Sequence, residues 1–336
     1  MIRVANLIDD PNVGGVTRAV SDTLRHLGAG IAGRIVLVRT AWRLAPRVAA
    51  DVIVIDFTVS WAKLLFLLVL RLTAAAPIVI VEHSYTEAYE QRCVRRRWRF
   101  RLMLRLAYRL ADRVVAVSEG QAAWLAAAGL VAPHRLVAIP QALDLSALAS
   151  IPDAPARAGP LRLGAYGRYA EQKGFDVLVA AMREVPPEIA TLTLAGYGPD
   201  EAALRAAAEG LAHVGVGGPI DGPAGFLAGV DVVVVPSRWE AYGLVGQEAR
   251  AAGRPVIACA VDGLVEQVPY SRGLLVPADD AAALAAAIRR IAAMDRAPMA
   301  AAARASVEGA FEGKLAAWRD LFARLAPGAE SESVRA

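Results

Sequence analysis

Val230-Asp231-Val232-Val233-Val234-Val235 is an apolar run broken by a single charge, and runs of this kind recur along the whole chain. A strand without polar alternation offers no face to water, so it belongs in a parallel sheet covered by helices on both sides. Such runs lie near 2–8, 34–38, 51–55, 77–81, 113–117 and 135–139, alternating with helix-like stretches near 15–28, 59–73, 87–111 and 119–128. The series then restarts, with runs near 161–166, 191–195, 212–216, 231–235, 255–260 and 273–276. Between the two lies "SIPDAPARAGP" (150–160), whose proline and alanine mark a linker. The 336 residues exceed one ordinary hydrophobic core. The expectation is an α/β protein of two Rossmann-like doubly wound domains facing each other across a cleft. The first covers 1–150 and the second 160–310, with a C-terminal helix and loose tail over 311–336. Ligands of such sheets bind at the carboxyl ends of the strands.

Composition excludes several classes. A charged fraction of 21% with 56% hydrophobic residues is that of a globular chain. Cys93 and Cys259 are far apart and form no C-x-x-C, which suggests neither a disulfide framework nor a zinc site and fits a reducing cytosol. The first residues, "MIRVANLIDD", meet two aspartates too soon for a signal peptide. Leu64 to Leu70 is strongly apolar but is bracketed by Lys63 and Arg71, far short of the roughly 20 residues that span a bilayer. A buried helix is expected there.

The loops after the strands carry the chemistry. "NVGGVTRAV" (12–20) places Gly14 and Gly15 where a backbone can approach a phosphate or sugar, or simply turn. "AGYGPDEAAL" (195–204) has Glu201 where a third glycine would complete a dinucleotide fingerprint, which argues against an NAD-binding dehydrogenase. In "YGRYAEQKGFDVL" (166–178), Arg168 and Lys173 lie in the loop after a strand, with Gly174 opening a helix. Both cations can converge on a diphosphate, or be two solvated charges. Lys173 is one of only three lysines in an arginine-rich chain. In "SRWEAYGLVGQEARAAG" (237–253), backbone amides around Tyr242, Gly243 and Leu244 begin a helix and favour an anion. Glu240 precedes that helix and Glu248 lies more than a turn inside it, so the two carboxylates serve different parts of a ligand.

In order, Gly167-Arg168, Lys173-Gly174, Gly196-x-Gly198-Pro199, Glu240-Ala241-Tyr242-Gly243-Leu244, Glu248-Ala249 and Pro255-Val256-Ile257 resemble the motifs of the retaining GT-B glycosyltransferases, family 4 (glycosyl transferases group 1). "VVAVSEGQ" (114–121) and "GLLVPADDAAALAAAI" (273–288) extend the likeness over most of the chain. The resemblance implies transfer of a sugar from a nucleotide diphosphate sugar with the anomeric configuration kept and without a metal cofactor. It assigns Arg168 and Lys173 to the donor diphosphate, Glu248 to the nucleotide ribose, Glu240 to the transferred sugar, and His83 to a place near that sugar. Three departures stand out. Tyr242 replaces a frequent Phe, Gln141-Ala142-Leu143-Asp144 replaces Asn-Gly-Val-Asp, and a single Gly263 precedes Leu264-Val265-Glu266 where the family has two glycines. A silent nucleotide-sugar-binding scaffold and a sugar-nucleotide epimerase are the rival readings.

The acceptor side falls to the first domain. "RCVRRRWRFRLMLRLAYRL" (92–110) holds eight arginines. At helical spacing, Val94, Trp98, Leu102, Leu106 and Leu110 align beside Arg97, Arg101, Arg105 and Arg109, and that stripe must bury something. Arg97, Arg101 and Arg105 are the candidates for a lipid-linked acceptor or an anionic membrane surface. No nucleic-acid-binding module is recognised. A cytoplasmic protein, peripheral on the inner face of the cell membrane, is expected.

Overall fold

The computed structural model describes residues 1–10, 14–38, 48–154 and 159–327. They divide into two compact units: Met1–Leu143 together with the chain from Phe311 onward, and Asp144–Ala310.

The first unit runs β1 (Ile2–Ile8), α1 (Gly15–His26), β2 (Ile31–Leu37), β3 (Val52–Ile55), α2 (Leu64–Thr73), β4 (Ile78–Glu82), α3 (Glu87–Cys93), α4 (Arg97–Arg109), β5 (Arg113–Ala116), α5 (Glu119–Ala127) and β6 (Leu136–Ala138). Its six strands are parallel, in the order β2-β1-β3-β4-β5-β6. All of β3 and β4 is buried, which is why their sequences show no polar alternation. One apolar core joins Phe66, Leu67 and Leu70 of α2 with Met103, Leu104 and Tyr108 of α4, so both helices cover one face of this sheet.

The second unit runs α6 (Ser146–Ala149), β7 (Leu161–Arg168), α7 (Phe175–Met182), β8 (Ala190–Tyr197), α8 (Glu201–Ala208), β9 (Val214–Gly217), α9 (Pro223–Ala228), β10 (Val232–Val235), α10 (Leu244–Ala251), β11 (Val256–Cys259), α11 (Asp262–Gln267), β12 (Gly273–Val276), α12 (Ala281–Ala292) and α13 (Ala297–Ala305). Its strands are again parallel, ordered β12-β11-β10-β7-β8-β9. The last helix, α14 (Ala310–Leu325), lies almost wholly in the first unit. Arg319 there donates to the carbonyls of Leu27 and His26.

Three expectations are corrected. The stretch 87–111 is not one helix but α3 and α4, because Val94 and Arg96 leave helical geometry. Leu65, Leu68 and Leu72 of α2 are exposed, so that helix is buried on one side only. The apolar stripe of 94–110 buries nothing along its centre: Trp98, Leu102 and Leu106 are exposed, and α4 turns Met103, Leu104, Ala107 and Tyr108 to the core instead. Parts of the 12–20 loop, of the 150–160 linker and of the C-terminal tail lie outside the described residues.

Candidate functional site

In the second unit β7 and β10 are neighbours, and the chain proceeds from them to opposite sides of the sheet. Their carboxyl ends therefore form a topological switch point, where loops diverge and leave a crevice. After β7 the chain turns through Glu171–Lys173 to Gly174, which takes the left-handed conformation at φ 62°. A Cβ at Gly174 would lie 2.1 Å from the Pro236 carbonyl oxygen, so only glycine lets this turn press against the exit of β10. Lys173 Nζ consequently sits 2.5 Å from Glu240 Oε2, which also accepts from Ser237 Oγ at 3.2 Å.

Arg238 stitches the two loops together. Its backbone N–H donates to Gln172 O at 2.8 Å, and its buried guanidinium bonds Asp176, Asp279 and the Glu171 carbonyl. Burial alone would disfavour its charge, but the two aspartates outweigh that and hold its pKa above the usual arginine value. Gln172 adds a bond to Trp239 O at 3.1 Å. Arg168, by contrast, is exposed at the end of β7, and among the described residues its guanidinium has no hydrogen bond or ion pair.

Gly243 caps α10 in the left-handed region, with no side chain capping the first turn. The amides from half-buried Leu244 onward thus begin a helix whose positive end lies in the same loop as Glu240. Gln267 Nε2 donates to the carbonyls of Tyr242 and Gly243, and its Oε1 accepts from Arg250. Burial pushes the Tyr242 hydroxyl above its ordinary pKa. Glu248 is buried on α10 and accepts from the Tyr166 hydroxyl at 2.6 Å.

Where the family motif has its first glycine stands Asp262. It adopts φ 41°, the conformation glycine would take, and its Oδ2 accepts the Glu240 N–H at 3.1 Å. The second glycine is kept for a steric reason, since a Cβ at Gly263 would lie 2.4 Å from Ala241 O.

The first unit has its own switch point, between β1 and β3. Here Asn6 Nδ2 donates to Asp56 Oδ2 at 2.7 Å, and Asp56 Oδ1 lies 3.1 Å from His83 Nε2. Asn6 Oδ1 is buried with no partner among the described residues. A cavity of about 30 Å³, room for roughly one water, is lined by Asn6, Thr23, His83, Lys314 and Phe322. Buried Lys314 donates to Ala142 O at 2.9 Å, and burial lowers its pKa to about 8. Gly14 caps α1 in an extended conformation with open space around it, and Gly15 begins the helix; both are exposed.

Arg168, Lys173, Glu240, Tyr242, Gly243, Leu244 and Glu248 thus belong to the second unit, and His83, Gly14 and Gly15 to the first. Two of the three arginines proposed for an acceptor or membrane have structural duties. Arg101 grips buried Glu90 with two bonds, at 2.6 and 2.9 Å, and Arg105 donates to the carbonyls of Gly129 and Ala128. Arg97 reaches Gln91 O at 3.3 Å. Sequence reading missed Asn6, Asp56, Tyr166, Arg238 and Asp262. Only the last carried a signal, as the residue replacing a motif glycine.

Two family models match: "Glycosyltransferase Family 4" over residues 17–147 and "Glycosyl transferases group 1" over 160–294. The chain is 33% identical over 234 residues to a D-inositol 3-phosphate glycosyltransferase of Segniliparus rotundus, covering 62% of this chain and 52% of that one. It is 38% identical over 164 residues to a phosphatidyl-myo-inositol mannosyltransferase of Mycobacterium leprae, covering 45% and 43%. The chain spans about half or less of the length of these relatives. Among solved structures, sucrose-phosphate synthase from Thermosynechococcus elongatus superposes with a TM-score of 0.78 at 24% identity, over 97% of this chain and 99% of that one. Anabaena HepE, solved with UDP and glucose, gives 0.74 at 18% identity, over 98% and 100%. These likenesses establish the fold.

Proposed function

Since the chain belongs to the glycosyltransferases of group 1, family 4, with two doubly wound units of the GT-B fold, we propose that it moves a sugar from a nucleotide diphosphate sugar to a lipid-linked saccharide acceptor, with retention of anomeric configuration. The observation that carries this reading is the switch point of the second unit, where the loops after β7 and β10 carry exposed Arg168, the Lys173–Glu240 pair and the start of α10.

As the bond from the anomeric carbon to the diphosphate breaks, negative charge collects on the departing oxygen. Arg168 and Lys173 are the positive charges that meet it, and the first amides of α10 add donors. Preorganisation matters more than attraction here, and Arg238 supplies it by locking both loops before any ligand arrives. Glu240 accepts hydrogen bonds from hydroxyls of the transferred sugar, and its contact with Lys173 couples sugar to diphosphate. Glu248 accepts from the ribose hydroxyls while Tyr166 fixes its carboxylate. The resemblance also gives His83, which Asp56 steadies, a role near the transferred sugar.

Relatives named for inositol phosphate and phosphatidyl-inositol acceptors support a phosphorylated or lipid-borne acceptor. A lipid-borne acceptor is met at a membrane surface, by a peripheral protein on the cytoplasmic side. Among the described residues no helix is long and apolar enough to cross a membrane.

The test is thermal stabilisation by a panel of nucleotide sugars, followed by nucleotide release with and without lipid-linked saccharides. Acceptor-dependent release, with product linkage matching the donor anomer by NMR, is expected. Binding without release would leave a silent scaffold, and conversion of the donor without acceptor would leave an epimerase.

A further inference from the structure

On the face of the first unit covered by α2 and α4, the chain leaves apolar side chains in water. Trp61, just before α2, is exposed, and Leu65, Leu68 and Leu72 follow at helical spacing, with Leu65 67% and Leu72 76% exposed. On α4, Trp98 is 69% exposed, and Leu102 and Leu106 continue its outward side. Because both helices pack onto one core, their outward faces adjoin. Trp61 and Arg99 join the two sides directly, with the guanidinium 5.5 Å from the ring. Single exposed leucines are ordinary, but rows of them on two neighbouring helices mark an interaction surface.

The charges beside these rows say what kind. The segment between α3 and α4 and the first turn of α4 bring Arg95, Arg96 and Arg99 around a groove of about 600 Å³ floored by Tyr85, Tyr89 and Phe100. All three arginines are exposed, and none has a hydrogen bond or ion pair to its side chain among the described residues. Lys63 and Arg71 of the α2 region and Arg101 of α4 are paired with Asp9, Asp112 and Glu90, and exposed Glu87 on α3 bonds Gln91, so the unengaged positive charge lies with these three arginines, Arg95, Arg96 and Arg99. The face is apolar at its centre and positive along one side.

We propose that this face docks on an anionic lipid bilayer, with Trp61, Leu65, Leu68 and Leu72 entering the headgroup–acyl boundary and Arg95, Arg96 and Arg99 holding anionic headgroups. It deepens the reading of a lipid-linked acceptor, on which it rests, by naming the surface and its partner. A second copy of the chain fits less well, because a two-fold interface would bring unpaired arginines toward their own counterparts. A nucleic acid would leave the leucine row without use. Arg101 and Arg105 are taken up by the fold, and Arg97 reaches Gln91 O, so Arg95, Arg96 and Arg99 are the better headgroup ligands.

The experiment is sedimentation of the full chain with vesicles of phosphatidylcholine alone or mixed with phosphatidylglycerol, at low and high salt. Binding to the mixed vesicles, weakened by salt, is expected. Arg95/Arg96/Arg99→Gln should lower that binding about 100-fold, at the usual gain per basic residue near an anionic surface. Leu65/Leu68/Leu72→Gln should lower it at least about 10-fold and remove the part that resists salt. Circular dichroism checks that both variants fold. Independently of any variant, acyl-brominated phosphatidylglycerol should quench tryptophan fluorescence of the parent, and Trp61→Phe should reduce that quenching. Equal binding to neutral and anionic vesicles, binding to neither, or a concentration-dependent dimer abolished by the leucine variant would overturn the proposal. Vesicle binding with no transfer to any lipid-linked acceptor would sink the acceptor reading and leave the docking surface standing.

Discussion

The two units are both doubly wound, but their strand orders differ, with the switch point between β1 and β3 in the first and between β7 and β10 in the second, and they fill it in opposite ways. In the second unit the crevice between β7 and β10 is lined with charge held near solvent: exposed Arg168, and Lys173 against Glu240. In the first, β1 and the exits of β3 and β4 bring Asn6, Asp56 and His83 into a buried chain, and α14 sets Lys314 over a water-sized cavity. Strand order decides where a crevice opens, and the residues at the strand exits decide what it does. An exposed cation can meet a ligand's charge at little cost to the fold. A buried one is set against stability. Substitutions in the second crevice should therefore strike turnover, and those in the first should strike stability and its pH dependence.

The largest effect is expected from Arg168→Ala or Lys173→Ala, each lowering kcat by a factor of about 100 to 1,000, the usual loss for a preorganised group facing developing charge. Melting temperatures should barely move for Arg168→Ala, whose side chain supports nothing else. Turnover and thermal melting on the same preparations decide it. Two stable variants with normal turnover would break the comparison at its stronger end.

Next comes Lys314. Its pKa of about 8 in the fold lies below the ordinary lysine value of 10.5, burial being the main cause. Between these values the unfolded chain binds more protons than the folded one, so stability rises with pH across that window and is lowest below it. A gap of that size corresponds to about 3 kcal/mol, of which the bond to Ala142 O returns about 1. Lys314→Met should thus stabilise the protein at pH 7 by about 2 kcal/mol and remove this part of the rise above pH 8. Urea unfolding at several pH values measures both; a destabilised variant with an unchanged pH profile would mean that the ammonium is welcome there.

Glu248→Gln should be milder. The amide keeps an acceptor for Tyr166 but loses the charge, so nucleotide affinity should fall about 10-fold with little change in melting temperature. Titration calorimetry with the free nucleotide tests this. A large fall in melting temperature at constant affinity would make the residue a brace of α10 and bring the two crevices closer in character.

Both sheets were legible in the sequence, because fully buried strands leave Val and Ile runs that nothing else explains. The loops of Lys173 and Glu240 were legible as strand exits, and the family resemblance singled out these residues and Glu248 as candidates. Arg238 was not, since an arginine in a loop reads as solvated until Asp176 and Asp279, 62 and 41 residues away, close around it. The Asn6–Asp56–His83 chain was hidden for the same reason: strands distant in sequence bring it together. Leu64 to Leu70 is apolar all round, so no periodicity distinguishes its core side from Leu65 and Leu68 in water. The stripe of 94–110 misled because α4 has a second apolar face, Met103, Leu104, Ala107 and Tyr108, and that is the one turned to the core.

The smallest effect, and the sharpest probe of the second crevice, is expected at Asp262. Its left-handed backbone costs an ordinary residue roughly 1 kcal/mol that glycine would not incur. Its carboxylate offsets this by accepting the Glu240 N–H, which fixes the loop carrying that glutamate. Asp262→Gly relieves the strain and loses the bond, so stability should change by less than about 1 kcal/mol while kcat falls about threefold to fivefold. Asp262→Asn tolerates the same backbone and keeps a side-chain oxygen as acceptor, so it should restore most of the rate. A purely structural role would move melting temperatures and leave kcat alone in both variants. Equal losses from Gly and Asn would instead show that the charge of Asp262, rather than its grip on Glu240, matters to the reaction.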